Sequence, residues 1–239
     1  MRPAILADPS DPQRLERFKE LTRARVMIFD FDGVLVDSER YHFETYSAVF
    51  RKYGHVIDET EYYKYWTSLG LGPRGEIDRY QLPLDPKKIR DEKRPVFSEY
   101  CRNGTIRFFP EARDLVLRLV HAGKVLTIAS GTVRPDIEAI LKNEDLTDAF
   151  TAIAGSDMVE APKPAPDIFL YALKMVNASP REALVFEDAE KGVGSARAAG
   201  IPVIVVRTKE TEGIDFGNAD LVFDSHADLL EHARRVFPR

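Results

Sequence analysis

The sequence is poor in residues that cross-link a fold, and it has no long apolar run. Cys101 is the single cysteine, which excludes an internal disulfide bond and a zinc site built from several cysteines. No apolar run approaches the roughly 18 residues that a membrane-spanning helix requires. Near the start, Arg2 is followed by Asp8 and Pro9, where a secretion signal needs a long apolar stretch. The sequence therefore predicts a cytoplasmic protein with no membrane partner.

A strong excess of charge of one sign is also absent. The chain has 34 Lys+Arg against 39 Asp+Glu, a formal net charge of −5, and 44% of its 239 residues are hydrophobic. This balance is typical of an ordinary globular protein. The slight acidic excess argues against nucleic acid as a partner. The length admits one large domain, or a core domain that carries a smaller one.

Short apolar segments alternate with helical patterns along most of the chain. Because these segments are apolar on both faces, the alternation predicts an α/β fold, a Rossmann-like parallel sheet with helices on both sides. Strands are predicted at 26–29, 125–129, 183–186 and 202–206, and more weakly at 149–154 and 220–223; helices are predicted at 111–122, 135–141, 166–176 and 192–199.

The stretch 41–107 interrupts this alternation. It contains no convincing buried strand but much helix-like sequence rich in aromatic residues, so we interpret it as an α-helical cap inserted after the first strand. The Rossmann-like core then comprises residues 25–40 and 108–239. Residues 1–24 are predicted to form a helical extension, in which Asp11 caps a helix with the apolar stripe Leu15, Phe18 and Leu21.

Charged and polar residues follow the predicted strands at their carboxyl ends. Ligands bind outside these ends in open parallel sheets, so such residues are candidates for one common site. Four segments contribute to it: Asp30 and Asp32; Ser130 and Gly131; Lys163; and Glu187 and Asp188.

These residue types suit a phosphate ester. Two carboxylates about 4 Å apart repel each other by about 4 kcal/mol at an effective dielectric constant of ~20, so the acidic cluster requires a cation. Oxygen ligands select a hard ion, and Mg²⁺ is the usual one with phosphates. The ion and Lys163 would keep Asp30 ionised as a nucleophile. Ser130 and the N–H groups around Gly131 would bind phosphoryl oxygens, and Asp32 would transfer protons.

Four motifs in order resemble those of the haloacid dehalogenase superfamily. The segment DFDGVLVDSE, which begins at Asp30, resembles the first motif, Ser130 the second, Lys163 in KPAPD the third and Glu187 in FEDAEKG the fourth. The resemblance implies a Rossmann-like core with a helical cap and an aspartyl-phosphate intermediate on Asp30. It also implies Mg²⁺ held by Asp30, the backbone carbonyl of Asp32 and Asp188, with Glu187 nearby.

The second aspartate of the first motif, Asp32, is absent from true dehalogenases of this superfamily. Its presence favours the phosphatase and β-phosphoglucomutase-like branch. The prediction is therefore a phosphoric monoester hydrolase that acts on a small phosphorylated metabolite, as a monomer or small homo-oligomer. The alternatives are a hexose-phosphate mutase, a phosphonatase that uses Lys64, and a non-catalytic binding protein. Leu69 stands where the mutases carry a cap lysine, which argues against the mutase.

Several of these residues also have a simpler structural interpretation. Ser130 could be a helix N-cap, and Lys163 a solvated loop residue. Glu187 could bind the metal ion through water or only neutralise a neighbour. His42 is a candidate acid–base group, or a structural residue at the start of the cap. Arg74 could contact the far end of the substrate, or form a surface salt bridge.

Overall fold

The structure is a computed structural model that describes residues 12–68 and 70–238. The predicted helix cap Asp11 and the cap residue Leu69 lie outside these residues. Within the described part, six strands form one sheet and every neighbouring pair is parallel. The α/β fold predicted from the sequence is therefore confirmed. The strands are β1 (Val26–Phe29), β2 (Val125–Ala129), β3 (Ala152–Ala154), β4 (Ala183–Glu187), β5 (Val203–Val206) and β6 (Leu221–Phe223).

The strand order is β3-β2-β1-β4-β5-β6. The direction of winding reverses at β1, as it does in doubly wound nucleotide-binding folds. The third strand is shorter than the predicted segment 149–154, because Thr147–Ala149 forms a 3₁₀ turn before it.

Helices connect the strands and cover both faces of the sheet. The described helices are α1 (Pro12–Leu21), α2 (Glu39–Lys52), α3 (Glu59–Glu61), α4 (Gly72–Arg79), α5 (Pro86–Arg102), α6 (Pro110–His121), α7 (Arg134–Asn143), α8 (Asp167–Met175), α9 (Glu190–Ala198) and α10 (His226–Val236). None of them combines the length and apolar character needed to cross a lipid bilayer.

Side chains of β1 alternate between two apolar layers, as the period of a strand requires. Met27 and Phe29 pack in the layer formed with α1, α6, α7 and α10, whereas Val26 and Ile28 pack in the layer formed with α8 and α9. Phe29 stacks on Phe186 of β4, with ring centroids 4.7 Å apart. Burial on both sides explains why the strands are continuous apolar runs in the sequence.

The described part of residues 39–102 consists of helices and the turns between them, and it has an apolar cluster of its own. After α3 the chain continues as a π-helix, Tyr62–Ser68, and Tyr62 and Trp66 are buried in this cluster with Phe50 of α2. The carboxyl half of α5 packs differently, since Phe97 and Cys101 belong to the large core layer. The helix α5 therefore joins the inserted segment to the core.

The helix α1 packs on the far edge of the sheet. Phe18 and Leu21 are buried as the apolar stripe predicts, and Phe18 meets the ring of Phe223 edge-on. Arg14 is also buried, where its Nη2 donates to the carbonyl of Val222 at 2.7 Å and to Asp228 Oδ2 at 2.6 Å. The described part of the extension is thus an integral part of the core layer.

Candidate active site

The carboxyl ends of β1, β2 and β4 lie side by side where the winding of the sheet reverses. Phe29 is paired with Ile128 in β2 and with Phe186 in β4. The next residues, Asp30 and Glu187, are therefore level with each other, and the backbone N–H of Asp30 donates to the carbonyl of Phe186 at 2.9 Å. This is the edge at which doubly wound sheets bind ligands.

Lys163 is held between two carboxylates at this edge. Its Nζ lies 2.9 Å from Asp30 Oδ1 and 2.5 Å from Glu187 Oε1, and all three side chains are nearly inaccessible to solvent. Burial alone would lower the pKa of Lys163, but the two carboxylates outweigh it and hold this pKa above its usual range. Lys163 is therefore a permanently charged group in the site, and the interpretation as a solvated loop residue is wrong.

The pKa of the Asp30 carboxyl group is raised as well, but for a different reason. Burial raises the pKa of Asp30 to about 7; Lys163 opposes this shift, while Glu187 and Asp32 add to it. The cause is crowding of like charge in a site with little solvent. A cation beside Asp30 would favour its ionised form.

Glu187 uses both of its oxygens within the protein. One accepts from Lys163, and the other accepts from the backbone N–H groups of Asp188 and Ala189 at 2.9 and 3.1 Å. Gly192 of α9 packs directly against it, since a Cβ at this glycine would lie 1.7 Å from Glu187 Oε1. This geometry favours Glu187 as the fixed partner of Lys163.

Three carboxylates offer oxygen atoms that lie within 4.8 Å of one another: those of Asp30, Glu187 and Asp188. Burial raises the pKa of Asp188 well above its usual range, and the charges of Glu187 and Asp30 raise it further. Gly33 leaves room for this carboxylate, because a Cβ there would lie 2.1 Å from Asp188 Oδ2 and its φ of +77° favours glycine. A buried, mutually repelling set of oxygen ligands fits a hard cation.

Asp32 lies two residues after Asp30 and is surrounded by donors. Its Oδ1 accepts from Ser38 Oγ at 2.5 Å and lies 3.1 Å from His42 Nε2. Its Oδ2 accepts from Thr132 Oγ1 at 2.6 Å and from Ser130 Oγ at 3.3 Å. Burial alone would raise the pKa of Asp32, but the interaction with His42 and the hydrogen bonds from Ser38 and Thr132 hold it well below its usual range.

A buried lysine of α5 contacts the other side of His42. Lys93 Nζ lies 2.7 Å from His42 Nδ1 and 3.4 Å from the ring centroid of Phe97. Burial lowers the pKa of Lys93 to about 8, although the charge of Asp32 opposes this shift. A protonated lysine can only donate, so His42 Nδ1 is the acceptor and Nε2 carries the proton that points to Asp32.

Three members of this network were missed by the sequence analysis: Ser38, Lys93 and Thr132. Ser38 and Thr132 lie close to the first and second motifs, and their hydroxyl groups were a signal that could have been used. Lys93 offered no such signal, because it lies 51 residues from His42 in a charged helix.

The remaining candidates differ in their placement. Ser130 is completely buried beside Asp32, and its interpretation as a helix N-cap is wrong because α7 begins at Arg134 with Val133 as its N-cap. Gly131 has open space where a Cβ would stand. Arg74 is not part of the cluster: its side chain is 78% exposed and lies 3.8 Å from Asp78. For Arg74 this favours the surface salt bridge.

Comparisons with known proteins agree with this geometry. The family model for haloacid dehalogenase-like hydrolases matches residues 27–206. The chain belongs to this family. Among its curated relatives are protein CbbY of Rhodobacter capsulatus, 32% identical over 82% of this chain and 91% of that protein, and the phosphorylated carbohydrates phosphatase of Thermotoga maritima, 32% identical over 73% and 81%.

Solved structures of family members have the same fold. CbbY from Rhodobacter sphaeroides in complex with phosphate superimposes on this chain with a TM-score of 0.74 and 30% sequence identity. The superimposed region covers 86% of this chain and 96% of the CbbY chain. A variant of the same protein was solved with xylulose 1,5-bisphosphate. The superfamily predicted from the four motifs is confirmed, and the phosphatases among its relatives indicate a phosphoric monoester hydrolase.

Proposed function

We propose that this chain is a Mg²⁺-dependent phosphatase that hydrolyses a small phosphorylated metabolite through phosphoryl transfer to Asp30. The observation that carries this proposal is the pairing of Asp30 with Lys163, beside the acidic residues Glu187 and Asp188. A carboxylate, a permanent cation and a cation-binding cluster at one point are the groups that phosphoryl transfer requires.

In the first step, a carboxylate oxygen of Asp30 forms a bond to phosphorus and the bond from phosphorus to the ester oxygen breaks. Lys163 and the N–H groups near Gly131 would neutralise the phosphoryl oxygens. The leaving oxygen takes a proton, for which Asp32 is the donor. Asp32 then accepts a proton from the water that hydrolyses the aspartyl phosphate.

Asp30 and Asp188 are the carboxylates available to hold Mg²⁺, because both oxygens of Glu187 are already engaged. The ion would supply positive charge to the phosphoryl oxygens during transfer. Asp188 packs against Gly33, so residues of the first and fourth motifs together position the carboxylates that would bind the ion.

The donors around Asp32 connect its protonation to the inserted helices. Ser38 lies directly before α2, His42 lies in the first turn of α2, and Lys93 lies in α5. In this arrangement Asp32 is ionised, which suits the acceptance of a proton from water. To donate a proton it must first lose some of these hydrogen bonds. We therefore propose that residues 41–107 act as a cap whose movement sets the protonation of Asp32.

The relatives suggest the substrate class. The Thermotoga maritima enzyme is named for phosphorylated carbohydrates, and the CbbY variant holds a sugar bisphosphate. A phosphorylated sugar or a related small metabolite is thus the proposed substrate of this chain. A cytoplasmic location and a monomeric or small homo-oligomeric state stay predictions from the sequence.

The test is the release of phosphate from a panel of phosphomonoesters, with and without Mg²⁺. We expect Mg²⁺-stimulated release by the wild-type protein and loss of at least about 10³-fold in Asp30→Asn, which removes the nucleophile. Asp32→Asn should harm alkyl phosphates far more than p-nitrophenyl phosphate, because the phenolate leaves without a proton. Equal losses on both substrates would contradict the acid role. Isomer interconversion that depends on a bisphosphate primer would instead identify a mutase.

A further inference from the structure

Lys191 lies where the inserted segment meets the core beside the acidic cluster. It stands in the first turn of α9, three residues after Asp188, and its side chain is half-buried. The backbone of Gly70 lies directly over its stem, since a Cβ at Gly70 would stand 2.7 Å from Lys191 Cδ and 3.3 Å from its Cβ. Gly70 also has a φ of +70°, so both space and backbone conformation favour glycine there.

The positive charge of Lys191 influences the acidic cluster, but its ammonium group has no bonded partner within the described part of the protein. It lowers the pKa of Asp188, against the larger effects of burial and of neighbouring carboxylates that raise it. Among residues 12–68 and 70–238, no hydrogen bond or ion pair to its ammonium group is found. The first turn of a helix is also an unfavourable place for a cation and a favourable one for an anion. An anion at this position would interact well with both the helix and the lysine.

Two other lysines of the site already have partners. Lys163 lies between Asp30 and Glu187, and Lys93 is bonded to His42. Arg74, the cap residue that the sequence suggested for the far end of the substrate, is exposed and close to Asp78. Lys191 is therefore an available partner for a second negative group on a substrate, and it is the one that follows the acidic pair Glu187 and Asp188, in the first turn of α9.

We propose that Lys191 binds a second anionic group of the substrate, a carboxylate or a second phosphate, at the seam between Gly70 and α9. The residue then determines specificity for doubly anionic phosphate esters. This inference rests on the proposed phosphatase function. The phosphoryl group that is transferred lies at Asp30 and Lys163, and Lys191 receives the group at the other end of the molecule. Gly70 holds the lysine stem against the core.

The experiment compares kcat/KM on three kinds of substrate. Fructose 1,6-bisphosphate carries a second phosphate, 3-phosphoglycerate carries a carboxylate, and glucose 6-phosphate and p-nitrophenyl phosphate carry neither. In Lys191→Met, kcat/KM should fall about 10- to 100-fold more for a doubly anionic substrate than for p-nitrophenyl phosphate, as expected for a lost charge-assisted hydrogen bond. Most of this difference should be an increase in KM. Lys191→Arg should recover most of the ratio. If the variant loses its preference for fructose 1,6-bisphosphate, the anionic group is a second phosphate; if it loses its preference for 3-phosphoglycerate, the group is a carboxylate.

Two matched controls separate this role from a general effect. Lys174→Met removes an exposed lysine from the end of α8 and should leave the ratio as in the wild type. Gly70→Ala should reduce the ratio more than Gly72→Ala, because Gly72 also has a positive φ but no atom lies within 4 Å of its Cβ position. An equal loss on all substrates in Lys191→Met, or no wild-type preference for either doubly anionic substrate, overturns the inference. Failure of wild-type protein to hydrolyse any substrate would instead contradict the proposed function.

Discussion

Gly192→Ala tests whether Glu187 is the fixed partner of Lys163. The added Cβ would lie 1.7 Å from Glu187 Oε1 and 1.9 Å from its carboxyl carbon, distances at which the carboxylate must move. Glu187 is fully buried, and both of its oxygens are hydrogen bonded, so any movement breaks contacts with Lys163 or with the backbone of Asp188 and Ala189.

The magnitude follows from two opposing terms. Alanine in place of glycine within a helix stabilises it by roughly 1 kcal/mol. Disruption of a buried ion pair costs about 3–5 kcal/mol when one charge is left without its partner. We therefore expect the free energy of unfolding to fall by about 2–4 kcal/mol in Gly192→Ala. At about 2–4 °C per kcal/mol for a chain of this size, Tm should fall by roughly 4–16 °C.

The assay combines thermal unfolding with phosphate release, measured at a temperature where the variant stays folded. Activity should fall by at least about tenfold, since Lys163 would lose its position beside Asp30. Gly194→Ala is the matched control in the same helix: its Cβ would meet Pro164 at an ordinary 3.5 Å, so its Tm should rise or stay constant and its activity should be unchanged. A Gly192→Ala protein that behaves like this control would refute the reasoning.

Two further predictions concern the charges around the site. Lys93→Met keeps an unbranched apolar stem over Phe97 but removes the donor to His42. We expect kcat/KM to fall by about tenfold or more and any limb of the pH–rate profile near pH 8 to disappear, because burial lowers the pKa of Lys93 to about 8; an unaltered profile would exclude this contribution. The affinity for Mg²⁺, measured by calorimetry, should rise as the pH is raised through about 7. The reason is that burial raises the pKa of Asp30 to about 7, and below this value a proton competes with the cation for the carboxylate; equal affinities at pH 6 and pH 8 would contradict it.

The sequence by itself was sufficient to predict the sheet and the segments that form its ligand-binding edge. Each strand is a short apolar run, and this local property follows from burial on both faces. The carboxyl ends of parallel strands meet at one edge, so Asp30, Ser130 and Glu187 could be assigned to one site without coordinates. The richness of the inserted segment in aromatic residues likewise agrees with an interior of its own, in which Tyr62 and Trp66 are buried.

Only the tertiary structure decided which partners these residues have. Both oxygens of Glu187 are engaged, Arg74 lies away from the cluster, and Lys93 reaches His42 across 51 residues of sequence. The contact of Gly70 with Lys191 joins segments that are still farther apart. Local sequence patterns indicate burial and backbone conformation. The distances between these side chains depend instead on how α2, α5 and α9 pack on the sheet. The residue types of the site could therefore be predicted from the sequence, whereas their ion pairs, hydrogen bonds and pKa shifts are determined by the folded structure.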